Sequence, residues 1–105
     1  MKYSVSTIAA LALAGGTAFA AAPHAHGYKG EELAGRAHVS MTSARMIALK
    51  ARPGRITDAE LEKEGGGSGL RYSFDIASRG KTFEVGVDAA NGRVLENKAE
   101  GAHPD

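Results

Sequence analysis

Between Leu70 and Leu95, apolar and polar residues alternate in two consecutive runs, and no other stretch limits the fold so tightly. Leu70, Tyr72, Phe74 and Ile76 take one set of alternate positions, and Arg71, Ser73 and Asp75 take the other. After Ser78-Arg79-Gly80 the pattern resumes, with Phe83, Val85 and Val87 set against Thr82 and Glu84. Side chains along a strand point alternately to the two faces of a sheet, so each run reads as a strand with one dry and one wet face. The polar triplet between them is a hairpin turn. Asp88-Ala89-Ala90-Asn91-Gly92 forms the next turn, where Asn91-Gly92 can supply positive φ angles. Val94 and Leu95 belong to a last short strand, and the chain beyond Glu96 is polar.

Upstream, the period changes. Ala44, Ile47, Ala48 and Ala51 fall at i, i+3, i+4 and i+7, which is one face of a helix, and Met41 and Leu49 widen that stripe. Ser40 is the expected N-cap, with Thr42 the rival, and Pro53-Gly54 stops the helix. Lys50 and Arg52 lie near its C-terminus, where the helix dipole favours cations. Ile56 to Glu64 admits two readings. Thr57-Asp58-Ala59-Glu60 is a capping-box pattern that suits a short helix. As a strand, the stretch would place Thr57, Ala59, Leu61 and Lys63 on one face and Asp58, Glu60, Glu62 and Glu64 on the other. The loop Gly65-Gly66-Gly67-Ser68-Gly69 and the strand after it favour the strand. The expected fold class is α+β, with one N-terminal helix packed on a four-stranded antiparallel meander. The helix stripe covers Tyr72, Phe74, Phe83 and Val85.

The first residues follow another logic. Lys2, an apolar run from Ile8 to Ala14 and the ending Ala18-Phe19-Ala20 together form the pattern of a secretory signal peptide. Residues 1–20 are therefore expected to be cleaved, placing the protein in the periplasm or outside the cell. Residues 21–38, rich in His, Gly and Pro23, read as a flexible lead, and residues 99–105 as a frayed tail. The chain has no cysteine, so no disulfide supports the small core. A core of this size supplies roughly 3–5 kcal/mol. Loss of Lys2 balances acidic and basic side chains, and aromatic residues are few. That balance gives no electrostatic case for nucleic acid.

The ordered set of these pieces carries a resemblance. Met41-Thr42-Ser43-Ala44 opens the helix, Ala48-Leu49 lies inside it, Pro53-Gly54 ends it, and Leu61 precedes a glycine-rich turn. Tyr72-Ser73-Phe74-Asp75-Ile76 and Phe83-Glu84-Val85-Gly86-Val87-Asp88-Ala89-Ala90-Asn91-Gly92-Arg93-Val94-Leu95 follow. This resembles the PepSY domain family over residues 39–98. The stretch from Val87 to Leu95 is similar to the family ending V-D-A-x-T-G-x-V-L, with Asn91 where Thr is common. PepSY domains occur in propeptides of thermolysin-like metallopeptidases, in membrane proteins and as small exported proteins, and a role in restraining peptidases is proposed for them. The resemblance implies a non-enzymatic exported binding module with no catalytic residues and an exported peptidase as a candidate partner.

Such a module acts through its surface. Arg71, Asp75, Thr82 and Glu84, on the outward face of the central hairpin, are the expected partner-contacting residues. An exposed strand edge that pairs with a partner's extended segment is the other route. Asp88, Asn91 and Gly92 are expected to shape a turn rather than bind. The alternative reading is a periplasmic binder of metal ions or small ligands, using His24 and His26 of the lead and the acidic row of Asp58, Glu60, Glu62 and Glu64. Against it, Pro23 lacks the backbone N–H that an N-terminal Cu(II) site deprotonates. Met41 and Met46 read as packing rather than ligands. The sequence shows no cysteine nucleophile, no zinc-peptidase H-E-x-x-H motif and no phosphate-binding loop. No cofactor, nucleic acid or membrane partner is expected, and the chain should be a monomer or a weak dimer.

Overall fold

Hydrogen-bond direction settles the secondary structure, including the stretch that local propensity leaves open. The computed structural model describes residues 27–101. A helix, α1 (Met41–Ala51), precedes four strands: β1 (Arg55–Lys63), β2 (Leu70–Ser78), β3 (Lys81–Asp88) and β4 (Val94–Ala99). The strands pair antiparallel in the order β1-β2-β3-β4, so the sheet is the expected meander with one helix across it. The expected signal peptide, His24 and His26 lie outside the described residues.

Ser40 caps α1, its Oγ accepting from Ser43 N at 3.1 Å. Such a cap satisfies one of the backbone donors that a helix start leaves free. The helix buries Met41, Ala44 and Ala48 against Tyr72, Phe74, Ile76, Val85 and Val87. Small alanines let the helix axis approach the sheet, and Met46 on the opposite side stays exposed. Arg52 ends the helix, and its guanidinium lies 3.8 Å from the centre of the Phe83 ring. Phe83 is therefore half-buried under a cation rather than sealed like Phe74. Asn97 completes this corner, donating to Ala51 O at 3.2 Å and accepting from Arg52 Nε at 3.2 Å.

The strand reading of residues 56–64 holds, with one change of face. A bulge between Ile56 and Asp58 shifts the register, so Ile56 pairs with Ile76 while Ala59 and Leu61 face Phe74 and Tyr72. Thr57 leaves the inward row, because a bulge places two residues opposite one and turns the strand. Its hydroxyl donates to Asp75 O at 3.3 Å. The last strand also runs further than two residues: β4 continues through Ala99 because Asn97 and Ala99 pair with Val85 and Phe83.

The turns differ from each other in mechanism. Arg79 (φ 55°) and Gly80 (φ 78°) form a two-residue connection of the mirror-image type that matches strand twist. At the β3–β4 turn only Gly92 (φ 81°) has positive φ, while Asn91 acts through its side chain, accepting from Arg93 N at 2.9 Å. The expectation of positive φ at Asn91 is thus replaced by a side-chain turn bond, a role Asn fills readily.

Residues 28–36, within the stretch read as a flexible lead, have structure of their own. Lys29 forms a parallel bridge with Glu60, Leu61 N donates to Lys29 O at 2.9 Å, and a 3-10 helix spans Glu31–Arg36. Gly30 (φ 90°) makes this approach possible, since a Cβ there would overlap Leu61 O. Tyr72 ties the next segment down, donating its hydroxyl to Val39 O at 2.6 Å.

Burial pushes the Tyr72 phenol up from 10.0 to about 12. An unfolded chain ionises this group first, so its stabilising share is present below pH 10 and lost as pH climbs toward 12. The loss amounts to about 2–3 kcal/mol at the top of that window. Alkaline unfolding followed by circular dichroism should show it. Tyr72→Phe should be about 1 kcal/mol less stable at neutral pH for want of the bond to Val39, and flatter above pH 10. A variant with the same alkaline slope as the wild type would assign the effect elsewhere.

Candidate functional site

The register collects carboxylates on the face of the sheet turned away from α1. Across β1 and β2, Asp58 stands opposite Asp75, Glu60 opposite Ser73 and Glu62 opposite Arg71. Across β2 and β3, Asp75 stands opposite Glu84 and Ser73 opposite Gly86. Across β3 and β4, Gly86 meets Glu96 and Glu84 meets Lys98. Directly opposed residues on one face lie within side-chain reach, and like charges there oppose each other. The contacts Asp58–Asp75 and Asp75–Glu84 are of that kind.

The titration behaviour reflects this crowding. Burial, followed by the charges of Glu96, Asp75, Glu62 and Glu64, holds Glu84 above the usual carboxylate range. Glu60 is raised by burial and then by Glu62. Glu100 is raised by its side-chain hydrogen bond with Asp75.

One cation lies beneath the acids. Arg71 is 7 % exposed. Its Nη2 donates to Gly65 O at 3.0 Å and its Nη1 lies 3.4 Å from Glu96 Oε1. The Nε is buried without a hydrogen-bond partner. Gly86 makes room for this side chain, since a Cβ at that position would stand 3.1 Å from Nη1. Glycine inside a strand often marks such a close approach. Ser73 Oγ donates to Glu62 Oε2 at 2.6 Å, and Lys98 Nζ lies 3.4 Å from Glu96 Oε2.

Asp75, Thr82 and Glu84 therefore share the outer face, as alternation implies, with Asp75 and Glu84 directly opposed. Arg71 lies on the same face but is buried and engaged. It organises the acids from beneath, and a partner cannot reach it. Glu62, Glu96, Lys98 and Glu100 extend the face and are not among the contact residues that alternation in the central hairpin picks out. Their signal is present all the same: Glu96, Lys98 and Glu100 alternate. A polar C-terminal stretch suggests fraying instead.

Asp88 sits at one end of this face and is closed to partners, at 1 % exposed. It accepts from Ser68 N at 2.8 Å, Ser68 Oγ at 2.5 Å and Ala90 N at 2.8 Å. The Ser68 hydroxyl, ahead of the backbone donors, holds its carboxyl below the usual range. The glycine-rich loop is thus fastened to the β3–β4 turn. Gly67 (φ 57°) packs where a Cβ would run into Asp88 and Leu95. Gly92 packs against Ile47, and its N–H returns to Asp88 O at 2.8 Å. Asp88, Asn91 and Gly92 hold the turn in shape.

Among the described residues no group of three or more His, Asp or Glu side chains is arranged to hold a metal ion. No helix among them is long and apolar enough to cross a membrane. A shallow depression lies between the lead and α1, lined by Tyr28, Glu31, His38, Met41 and Tyr72.

The comparisons with known proteins match the architecture. The family described as peptidase propeptide and YPEB domain, PepSY, matches residues 39–98. No curated protein and no solved structure matches significantly. The matched span takes in the capped helix, the whole meander and the Asp88–Gly92 turn, and the chain belongs to the PepSY family.

Proposed function

We propose that the protein is an exported, non-catalytic binding module that engages another protein through the acidic outer face of its sheet. An exported peptidase is the first candidate partner. The reading rests above all on the separation of charge. Asp58, Glu60, Glu62, Asp75, Glu84, Glu96 and Glu100 crowd one face, while Arg45, Lys50 and Arg52 lie on or beside the helix. A chain with near-zero net charge gains nothing in stability from opposing Asp75 with Glu84, whereas a basic partner surface would relieve that repulsion. Such complementarity governs encounter rate and selectivity. Family membership supports a propeptide-like role, and the signal-like N-terminus supports export to the periplasm.

The test is titration of the purified protein against exported peptidases of the same cell, with peptide hydrolysis as the readout. Inhibition should weaken with added salt and fall about tenfold or more in Asp75→Lys/Glu84→Lys, as expected for loss of a few charge contacts. At the Asp75–Glu84 contact this double variant exchanges one like-charge pair for another, and it sets a lysine opposite Lys98, so a thermal melt accompanies the assay and inhibition is compared where both forms are folded. Equal inhibition by both forms would exclude this face, and absence of inhibition across the peptidases would exclude that class of partner.

A further inference from the structure

The two edges of the sheet are finished differently. β1 is closed: the lead bridges it at Lys29, Leu61 N donates to Lys29 O, and a bulge at Thr57 breaks its run. β4 ends the sheet, with no strand beyond it among the described residues. Open edges invite pairing with another chain, and proteins usually blunt them.

The parity of β4 decides which groups are on offer. Glu100 N donates to Thr82 O at 2.9 Å, and Lys98 and Glu96 stand opposite Glu84 and Gly86. Antiparallel pairs alternate between bonded and non-bonded residues, so Glu96, Lys98 and Glu100 turn their backbone groups toward β3. Asn97 and Ala99 turn theirs toward the open side, whereas Leu95 falls at the register shift opposite Gly86 and Val87, where the alternation ends. The Asn97 side chain is already engaged with α1, which fixes the strand without using that edge.

We infer that β4 pairs with β4 of a second copy of this chain, antiparallel about a two-fold axis at Asn97, extending the meander into one sheet across the dimer. The charges single out this occupant. Glu96 and Lys98 flank Asn97 on the same outer face. A two-fold axis at Asn97 places each Glu96 opposite Lys98 of the second copy, in the non-bonded pair where side chains approach most closely. Asn97 then exchanges backbone bonds with Asn97 of the second copy, and Ala99 of each copy turns its N–H toward the other strand. Lys98 would repel a Lys-bearing strand, yet here it meets a carboxylate. One short strand buries little surface, so the dimer is weak and depends on concentration. The inference does not rest on the proposed peptidase partner, because it uses the edge of the sheet and not its face.

The test uses the chain expressed from its full-length coding sequence and purified as the cell processes it. Sedimentation equilibrium should show the mass rising from one copy toward two with concentration. Lys98→Glu turns both cross-copy pairs repulsive and should weaken association about tenfold. Ala99→Pro removes a donor on the open side only and should weaken it as well, with the circular dichroism spectrum retained. Amide exchange supplies a readout that needs no variant. The N–H groups of Asn97 and Ala99 should gain protection as concentration rises, while those of Glu96 and Lys98 are protected throughout. A one-copy mass at every concentration would overturn the inference. So would a dimer in which those two amides exchange at an unchanged rate, or a different protein's strand occupying this edge.

Discussion

Phe74→Ala is expected to leave the chain largely unfolded at 25 °C. Phe74 is fully buried at the centre of β2, opposite Ala59 on one side and Val85 on the other. Its ring stacks on Tyr72 with centroids 6.4 Å apart. Truncating a buried phenylalanine costs about 3–5 kcal/mol in lost burial and cavity. A core this small supplies roughly 3–5 kcal/mol in total, so the two quantities are of one size. With no disulfide, nothing covalent limits the unfolding. Phe74→Leu keeps most of the volume and should cost under about 1.5 kcal/mol. Urea unfolding followed by circular dichroism distinguishes the two. A Phe74→Ala chain with a transition near that of the wild type would show that the layer beneath α1 is not what holds the domain together.

Much of that layer is legible in the amino-acid order alone, because burial and strand period act on the same residues. Tyr72, Phe74, Ile76, Val85 and Val87 are apolar, alternate and are all buried. The cap at Ser40 and the stop at Pro53-Gly54 are local chemistry and can likewise be read directly. Gly54 also packs close to Ala77 O, a long-range contact that local chemistry does not announce. The features that escape such reading are those in which distant segments meet. Nothing in the composition of residues 28–36 shows that Lys29 will bridge β1, since that bond joins backbones and carries no side-chain pattern. The glycine-rich loop reads as flexible from its residues alone, yet Asp88 fastens it through Ser68, twenty positions away. Bulges are invisible for the same reason: the turn of Ile56 toward Ile76 depends on which residue of the neighbouring strand is opposite.

The outer face shows the limit most sharply. Alternation places Asp75, Thr82 and Glu84 there correctly, and it places Arg71 there too. It cannot show that glycine at position 86 leaves a slot in which Arg71 lies flat, roofed by Glu96. A cation counted as available to a partner is in fact committed to its own carboxylates.

That commitment sets the second large effect. Arg71→Ala removes the counter-charge beside Glu62 and Glu96, two of the carboxylates that crowd Glu84, and leaves Gly65 O without its donor. Breaking a buried ion pair from one side costs about 3–5 kcal/mol, and the partial exposure of Glu96 places this case at the lower end. The loss should depend on pH in a particular sense. Glu84 already sits above its ordinary range in the folded chain, so folding favours its protonated form. Stability gained from that group grows as pH falls through its folded value toward the unfolded one. Without Arg71 the carboxylates repel more strongly and the growth should be larger. Arg71→Ala should therefore be far less stable than the wild type at neutral pH and recover part of the difference as pH falls into the carboxylate range. At still lower pH, protonation of Asp88 removes the bonds it accepts from Ser68 and Ala90, and both proteins should lose stability. Arg71→Lys keeps the charge but lacks the fork that spans Gly65 and Glu96, so it should fall between the two. Urea midpoints measured at several pH values decide the matter. If Arg71→Ala follows the wild-type profile in parallel at every pH, the acids of this face are being neutralised by something other than the cation beneath them.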